Sequence, residues 1–407
     1  MLSIVACTAP AAPASIGQLA LVGGTLHVGP EQAPVRDGVI LIRGGLITAA
    51  GSRTNVEIPA RAEVLDVSSC WVTAGFHNSH AHFFGLEWAE AAAIPGADLA
   101  RLLEQRFTRF GFTTVFDTGS TWDNTRSIRE RIDSGAVAGP RIRSTGEALL
   151  APDAMPSAEA LRSYGIMPLR ALEVSDAEQA AAAAREQIAR GVDGIKVHLQ
   201  PPPEQAPSIP ESAIRAAVTE AHKRGKPVFV HPDTGADVLA AARAGADVIA
   251  HTTPGSGPWN ANVLESMLDA RIALTPTLTL WKSRDRSGDG TLLETAVGQV
   301  KGWIDAGGTV LFGTDLGAVG PDPREEYELM ARAGMSFRQI LAALTTTPAE
   351  RMGESATLGR IVPGLRADLV VLNADPALDV KALAEVRYTL SAGKIIYADP
   401  DATGRSK

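Results

Sequence analysis

The feature that most constrains the fold of this chain is a regular alternation of strand-like and helix-like segments between about Trp71 and Gly353. Eight short segments rich in β-branched residues are separated by helical patterns. Eight such units predict an α/β fold, a (β/α)8 TIM-like barrel. A doubly wound open sheet is the competing architecture, but the glycine-rich phosphate fingerprint expected after its first strand is missing. The strand segments, in order, are WVTAGFHNSH, FTTVFDTG, PRIRSTG, DGIKVHL, KPVFVHP, DVIAHTT, RIALTPTL and TVLFGTD.

Glycines mark the ends of several of the helical patterns. Glycine adopts a left-handed backbone conformation at no steric cost, and this conformation commonly terminates a helix before the chain returns to a sheet. We therefore predict helix ends at Gly111, Gly191, Gly225, Gly245 and Gly307.

The two ends of the chain carry a different, strand-rich pattern. Residues 17–70 alternate apolar and polar side chains around Gly-Gly turns, and a matching pattern returns in residues 357–400. Strands at both ends predict one small β-sandwich domain assembled from 17–70 and 357–400, with the barrel of residues 71–356 inserted between them. Residues 1–16 differ from both regions and are interpreted as a leader or a disordered terminus.

Composition and charge exclude several classes of function. The net charge is −8, from 38 basic and 46 acidic residues with no basic run, which argues against nucleic-acid binding. No apolar stretch approaches the roughly 20 residues of a membrane span. The expected partner is a small molecule, with a homo-oligomer left open. Location is left open between the cytoplasm and export to the periplasm, because Cys7 lies in a short lipoprotein-like sequence.

Two cysteines, Cys7 and Cys70, are too few for a thiolate zinc cluster, so any metal must be held by histidine and oxygen ligands. Four histidines and two other ionisable residues fall at or near the ends of predicted strands, where active sites of barrels are built. Residues two apart on a strand point to the same face, so the first histidine pair can bind one ion. The candidate residues are His80, His82, Lys196, His231, His251 and Asp315.

These residues and several longer motifs resemble the amidohydrolase superfamily. The motifs are GFTTVFDTG, GVDGIKVH, GADVIAHTTP, TTTPAERMG and GRIVPGLRADLVVL, and the resemblance covers nearly the whole chain beyond residue 17. The chain resembles above all the imidazolonepropionase-related branch, which includes metal-dependent Xaa-Pro dipeptidases and related amide hydrolases.

The resemblance implies a binuclear, metal-dependent hydrolase that cleaves an amide, peptide or cyclic amide C–N bond. Two divalent ions, most simply zinc, would share a hydroxide nucleophile. His80, His82 and Asp315 would hold one ion and His231 and His251 the other. Lys196 would bridge them as an N-carboxylated lysine. Asp315 would also be the catalytic residue that moves the proton.

Some positions depart from the family pattern and keep alternatives open. The carboxylate that mononuclear deaminases carry three residues beyond the strand-five histidine is absent, since Thr234 stands there. Asp233 stands near where dipeptidases commonly have a tyrosine, which puts a prolidase activity in doubt. Hydrolysis of a lactone, ester or phosphoester is the alternative chemistry. A mononuclear deaminase and a catalytically silent scaffold are less favoured, and a plain Lys196–Asp315 ion pair is the alternative to a bridging lysine.

Specificity is expected in the loops after the strands. The remaining histidines are assigned no catalytic role; His222 is expected on a helix surface, His27 in the β-domain, and Cys70 in a core. The specificity candidates are His198, the PPPEQAP segment (201–207), Asp233, Trp259, Trp281 and Arg324.

Overall fold

The computed structural model describes residues 17–170, 172–199, 208–285 and 288–403. The predicted leader, residues 1–16, lies outside these ranges. In the described ranges no helix combines the length and the apolar character needed to cross a bilayer.

Eighteen strands run through the described residues. They are β1 (Gln18–Leu26), β2 (Val35–Arg43), β3 (Leu46–Ser52), β4 (Glu63–Asp66), β5 (Trp71–Ala74), β6 (Phe76–Ala81), β7 (Phe112–Asp117), β8 (Arg141–Ser144), β9 (Leu149–Leu150), β10 (Leu172–Glu173), β11 (Ile195–His198), β12 (Val228–His231), β13 (Val248–Ala250), β14 (Ala273–Thr275), β15 (Thr309–Val310), β16 (Leu369–Leu372), β17 (Val386–Ser391) and β18 (Lys394–Ala398).

Twelve α-helices occur in the same described ranges. They are α1 (Gly96–Arg106), α2 (Trp122–Asp133), α3 (Ala158–Ser163), α4 (Ala177–Arg190), α5 (Glu211–His222), α6 (Gly235–Ala244), α7 (Ala261–Asp269), α8 (Leu278–Arg284), α9 (Thr291–Asp305), α10 (Arg324–Arg332), α11 (Phe337–Leu344) and α12 (Thr346–Arg351).

Strands from both ends of the chain pair into one sheet, as predicted. Its order is β18-β17-β16-β5-β1-β2-β3, with β4 paired to β1. Strand β5, which the sequence assigned to the barrel, belongs to this sheet: it pairs with β1 and β16, and its Val72 packs in the core of the terminal sheet. The predicted first barrel strand is therefore divided at Gly75, and only β6 joins the parallel strands. The sandwich packing of the terminal strands stays a prediction.

The strands between the two ends are parallel and follow the predicted order. Strands β6, β7 and β8 form one sheet, and β9 to β15 form another with the order β10-β9-β11-β12-β13-β14-β15. Backbone hydrogen bonds join the two sheets at both ends, from Ser79 N to Phe312 O (2.8 Å) and from Asp193 N to Ser144 O (2.7 Å). These bonds support a TIM-barrel-like arrangement.

Two details of the parallel region differ from the prediction. The short strands β9 and β10 follow β8 and had no clear sequence pattern, because two residues are too few to show alternation. The eighth predicted strand, TVLFGTD, keeps ladder pairing only over Thr309–Val310, and the chain then turns irregularly towards Asp315.

Two of the predicted glycine stops are confirmed as caps of α-helices, and the other three glycines follow the last residue of α1, α5 and α9 at a distance of two to five residues. Helices α4 and α6 end at Gly191 (φ 94°) and Gly245 (φ 86°), each in the left-handed region where a side chain would be strained. The other three predicted glycines also have positive φ angles. The main core lies between the parallel strands and the helices, and a smaller cluster that includes Phe116 and Phe229 packs separately.

Candidate active site

One cavity of about 410 Å³ is lined by all six candidate residues. They come from five strand ends: His80 and His82 from β6 and the residue after it, and the others from β11, β12, β13 and the segment after β15. All six are between 0% and 9% exposed. We call these six side chains the floor of the cavity and the remaining lining residues its rim. The floor residues are His80, His82, Lys196, His231, His251 and Asp315.

Three floor residues form a tight group. Asp315 Oδ1 lies 3.4 Å from His80 Nε2 and 3.0 Å from His82 Nε2. One donor atom from each of the three residues lies within 4.8 Å of the others. The group exists because the two histidines are two residues apart on a strand, and because the chain after β15 returns to β6, where Asp315 N donates to His80 O (2.9 Å).

The other histidines continue the group across the cavity. The ring of His251 lies 4.6 Å from that of His80, and the ring of His231 lies 4.5 Å from that of His251. His198 stacks on His231 at 4.0 Å, since the two residues are direct partners in the pairing of β11 and β12. The imidazoles of neighbouring strands are therefore in contact across the floor.

The orientation of His251 is set by a threonine that the sequence analysis did not single out. His251 Nδ1 lies 2.5 Å from Thr277 Oγ1, and the threonine hydroxyl donates to Pro276 O (2.8 Å). The hydroxyl hydrogen is thus used, so Nδ1 of the imidazole is the donor and Nε2 keeps its lone pair for a ligand. The TPT sequence at the end of the seventh strand was the available signal.

Lys196 is buried among the histidines without a counter-ion. It is 2% exposed, and its Nζ has no hydrogen-bond partner in the part of the chain that the structure describes. Burial lowers the pKa of Lys196 to about 7, although Asp315 opposes the shift. The ion pair with Asp315, considered as an alternative, is not found among the described residues, and the carboxylate faces His80 and His82 instead.

The electrostatics of the floor favour cation ligands. Burial, followed by the charge of Lys196, lowers the pKa of His80 to about 3, and burial also holds the pKa values of His231 and His251 well below the ordinary value. Burial would raise the pKa of Asp315, but its close contacts with the imidazoles of His80 and His82 hold it well below its usual range. The floor thus offers neutral imidazoles and a carboxylate, the ligands that suit zinc and similar ions.

Orphaned polar atoms at the floor fit the same conclusion. Both ring nitrogens of His80, Nδ1 of His82 and Nζ of Lys196 are buried without a hydrogen-bond partner among the described residues. Leaving such atoms unpaired is costly, so a site that keeps several together is suited to an ion. His251 and Asp315 also hold positive φ angles of 78° and 55°, a strain of about 1–3 kcal/mol each that concentrates at functional sites.

A family model described as Amidohydrolase family matches residues 71–396. This chain belongs to the amidohydrolase family. It is accordingly a hydrolase that acts on C–N bonds.

The amidohydrolase has relatives among curated proteins and solved structures. It is 27% identical to the ochratoxinase of Aspergillus niger over 89% of this chain and 83% of that protein. It is also 27% identical to an imidazolonepropionase of Rhizorhabdus wittichii, over 88% of this chain and 91% of that protein.

Among solved structures, a Xaa-Pro dipeptidase with methionine bound in its active site is similar with a TM-score of 0.79 at 21% identity. That match covers 94% of this chain and 100% of the other. The crystal structure of the A. niger ochratoxinase has a TM-score of 0.78 at 23% identity, over 95% of this chain and 96% of the other. These similarities imply a TIM-barrel-like α/β fold for the amidohydrolase.

The rim of the amidohydrolase cavity agrees only in part with the specificity candidates. Of those candidates, His198 lines the cavity, and the PPPEQAP segment lies outside the described residues. Trp259 instead donates to Thr253 Oγ1 (2.8 Å), and Arg324 pairs with Asp322 at 2.6 Å. The other two candidates, Asp233 and Trp281, are also not among the lining residues that the structure describes.

The rim residues that were missed are mostly apolar and lie in short elements and in the loops between them. They include Phe84, Leu150, Met155, Leu161, Leu169 and the cation Arg284. Arg284 lies three residues beyond the candidate Trp281, about one helical turn away. The sequence analysis therefore selected the correct segment for specificity but not the residue that lines the cavity. The departure of GEALLAPDAMPS from the family pattern was the available signal for Leu150 and Met155.

The residues given no catalytic role are found where they were expected. His222 is on the surface of α5 and lies 2.8 Å from Asp247. His27 contacts the ring of Phe337 beside the terminal sheet, and Cys70 is buried in the core of that sheet.

Proposed function

We propose that this amidohydrolase uses two divalent metal ions, most simply zinc, to hydrolyse the C–N bond of an amide, peptide or cyclic amide. The observation that carries the proposal is the convergence of six buried ionisable side chains from five strand ends on one cavity. Buried ionisable groups are costly unless they are paired or bind a metal, and here the Lys196 amine and three ring nitrogens of His80 and His82 have no hydrogen-bond partner among the described residues.

The residues divide between the two ions by their contacts. His80, His82 and Asp315 would hold one ion, since their donor atoms already lie within 4.8 Å of one another. His231 and His251 would hold the other. When bound, the ions supply Lewis-acid chemistry: they lower the pKa of a water towards neutrality and polarise the scissile carbonyl.

Lys196 would bridge the two ions as a carbamate. The neutral amine adds to CO₂, forming one N–C bond and releasing one proton, and the product is an anion with two oxygen ligands. The partnerless, buried Nζ supports this step, because an ammonium ion in the same place would repel the cations. Formation of the carbamate would thus replace a buried amine that lacks a hydrogen-bond partner with a bridging anionic ligand.

Asp315 would transfer the proton. Its Oδ1 faces His80 and His82, so its second carboxylate oxygen would accept a proton from the attacking oxygen and return it to the leaving nitrogen. His251, with Nδ1 directed to Thr277, would keep Nε2 as its ligand atom. The positions of both residues are set by backbone as well as side-chain contacts, as efficient positioning requires.

The test is metal content together with turnover. Protein purified without chelator should contain about two divalent ions per chain by elemental analysis, lose activity on chelation, and regain it on adding zinc. The surface variant His222→Asn is the matched control and should keep both metal and activity. A fully active protein without divalent metal would overturn the proposal, and cleavage of lactones or phosphoesters but no amide would favour the alternative chemistry.

A further inference from the structure

Arg284 brings a positive charge to the rim of the cavity. It is the last residue of α8 and lines the cavity together with the floor residues. No ion pair or hydrogen bond engages its side chain within the described ranges of the chain. Lys282, two residues earlier, is instead paired with Glu325 outside this cavity. An arginine without a partner beside a largely apolar cavity is suited to an anionic ligand.

A neighbouring acid does not neutralise Arg284. Burial and the Asp237 carboxylate raise the pKa of Asp233, and Arg284 opposes that rise, so Asp233 lies within electrostatic reach of the guanidinium. The described residues nevertheless contain no ion pair between Asp233 and Arg284. Asp233 therefore competes with an anionic ligand for Arg284, and a variant that removes its charge tests this competition.

The rest of the rim defines the remainder of the ligand. Phe84, which stacks on His82 at 4.5 Å, and four further apolar side chains form its walls. Among the described lining residues the one carboxylate is Asp315, which the floor already uses. Among these described residues a substrate ammonium group would therefore find no free carboxylate, whereas a substrate carboxylate would find Arg284. The four further side chains are Leu150, Met155, Leu161 and Leu169.

We infer that Arg284 is a specificity-determining residue that binds a substrate carboxylate. The substrate class is an amide with a free carboxylate, an apolar acyl group and no free ammonium, of which an N-acyl amino acid is the simplest member. This inference rests on the proposed function, because it places the scissile amide at the floor. The guanidinium can donate two parallel hydrogen bonds to a carboxylate while the acyl group contacts the apolar walls.

The experiment compares three matched compounds on the zinc-loaded full chain. N-benzoyl-leucine carries the carboxylate, N-isopentylbenzamide is the same amide without it, and Phe-Leu has both a carboxylate and a free ammonium. N-benzoyl-leucine should have the highest kcat/KM, exceeding that of N-isopentylbenzamide roughly 10- to 100-fold, as charge-assisted hydrogen bonds allow. Of the two compounds that carry a carboxylate, Phe-Leu should have the lower kcat/KM.

Variants assign the preference to Arg284. Arg284→Gln should bring the ratio of the benzoyl-leucine and isopentylbenzamide kcat/KM values close to one, mainly by raising the KM for the acid, since the contact is made equally in the ground and transition states. Lys282→Gln, on the same helix but outside the cavity, should leave the ratio unchanged. Asp233→Asn should keep or increase it. Thermal melting and zinc content should be the same in all variants, which separates a loss of binding from misfolding.

The outcomes separate this inference from the proposed function. If the wild type cleaves the neutral amide as well as the acid, or if Arg284→Gln keeps the preference, the inference is wrong while amide hydrolysis stands. If the wild type cleaves none of the three, calorimetry with N-benzoyl-leucine decides. Binding that weakens at least tenfold in Arg284→Gln supports the carboxylate site, and equal or absent binding overturns it.

Discussion

The floor and the rim of the cavity are built on different principles. Floor residues such as His80 and His231 are buried and lie at or near strand ends, and the pairing of β11 with β12 positions His231. Rim residues such as Arg284 and Leu161 lie on the short helices α8 and α3. Chemistry that must be common to a family can be placed on the invariant strand ends of a barrel, whereas specificity can vary on the elements that follow them.

The largest effect is expected from a floor residue that moves a proton. Asp315→Asn should lower kcat by roughly 10²- to 10⁴-fold, the usual contribution of general acid–base catalysis, while leaving the metal content largely intact. Asp322→Asn, on the same segment but paired with Arg324 on the surface, is the control and should retain activity. Steady-state kinetics with elemental analysis measures both. Near-normal turnover in Asp315→Asn would remove this carboxylate from the mechanism.

A second large effect concerns Lys196 and tests whether the floor needs a modified residue. After chelation and removal of CO₂, the wild type should regain activity with zinc much faster when bicarbonate is supplied. Lys196→Gln, which cannot form a carbamate, should have activity lower by more than about a hundredfold and show no response to bicarbonate. Full recovery of the wild type in CO₂-free buffer would contradict the carbamate.

The contrast between the floor and the rim also explains which features could be predicted from the sequence. The six floor residues and the parallel strands were predictable because strand ends have a recognisable pattern and because the family resemblance covers them. Thr277 and Arg284 were not, since neither residue type is unusual after a strand. The turn before α8 brings Thr277 to His251, and the end of α8 brings Arg284 to the cavity. The division of β5 from β6 at Gly75 was also missed, because one apolar run served two sheets.

A smaller effect is expected at Thr277, which contacts the floor residue His251. Thr277→Val removes the hydroxyl that accepts from His251 Nδ1 and should weaken binding of one metal ion by about 10- to 100-fold. Thr277→Ser keeps the hydroxyl and should restore most of the affinity. The buried Thr275, whose Oγ1 has no partner among the described residues, provides the control: Thr275→Val should bind both ions normally. Zinc titration against a competing chelator measures the affinities, and equal affinity in both valine variants would separate Thr277 from the metal site.

The smallest effect is a pH-dependent stability difference at Glu326, which anchors α8. Its buried carboxylate accepts hydrogen bonds from the backbone N–H groups of Leu278 and Thr279, both 2.8 Å, and burial raises its pKa to about 7. Between about pH 4.5 and pH 7 the Glu326 carboxyl is therefore protonated in the folded protein and ionised in the unfolded chain. The contribution of Glu326 to the free energy of unfolding thus declines as the pH rises. Glu326→Gln should not show this decline. The difference in the free energy of unfolding between the wild type and the variant should therefore change by about 3 kcal/mol between pH 4.5 and pH 7.

Urea unfolding of the metal-free proteins at pH 5 and pH 8 checks this expectation, because the titration of the floor histidines is common to both proteins and cancels in the difference. Glu325→Gln, at the exposed neighbouring position, should show the same pH dependence as the wild type. A difference between wild type and Glu326→Gln that does not change with pH would mean that the buried carboxylate titrates normally. In that case an ionised Glu326 would hold the start of α8, and with it Arg284, through its hydrogen bonds with Leu278 and Thr279 across the whole pH range.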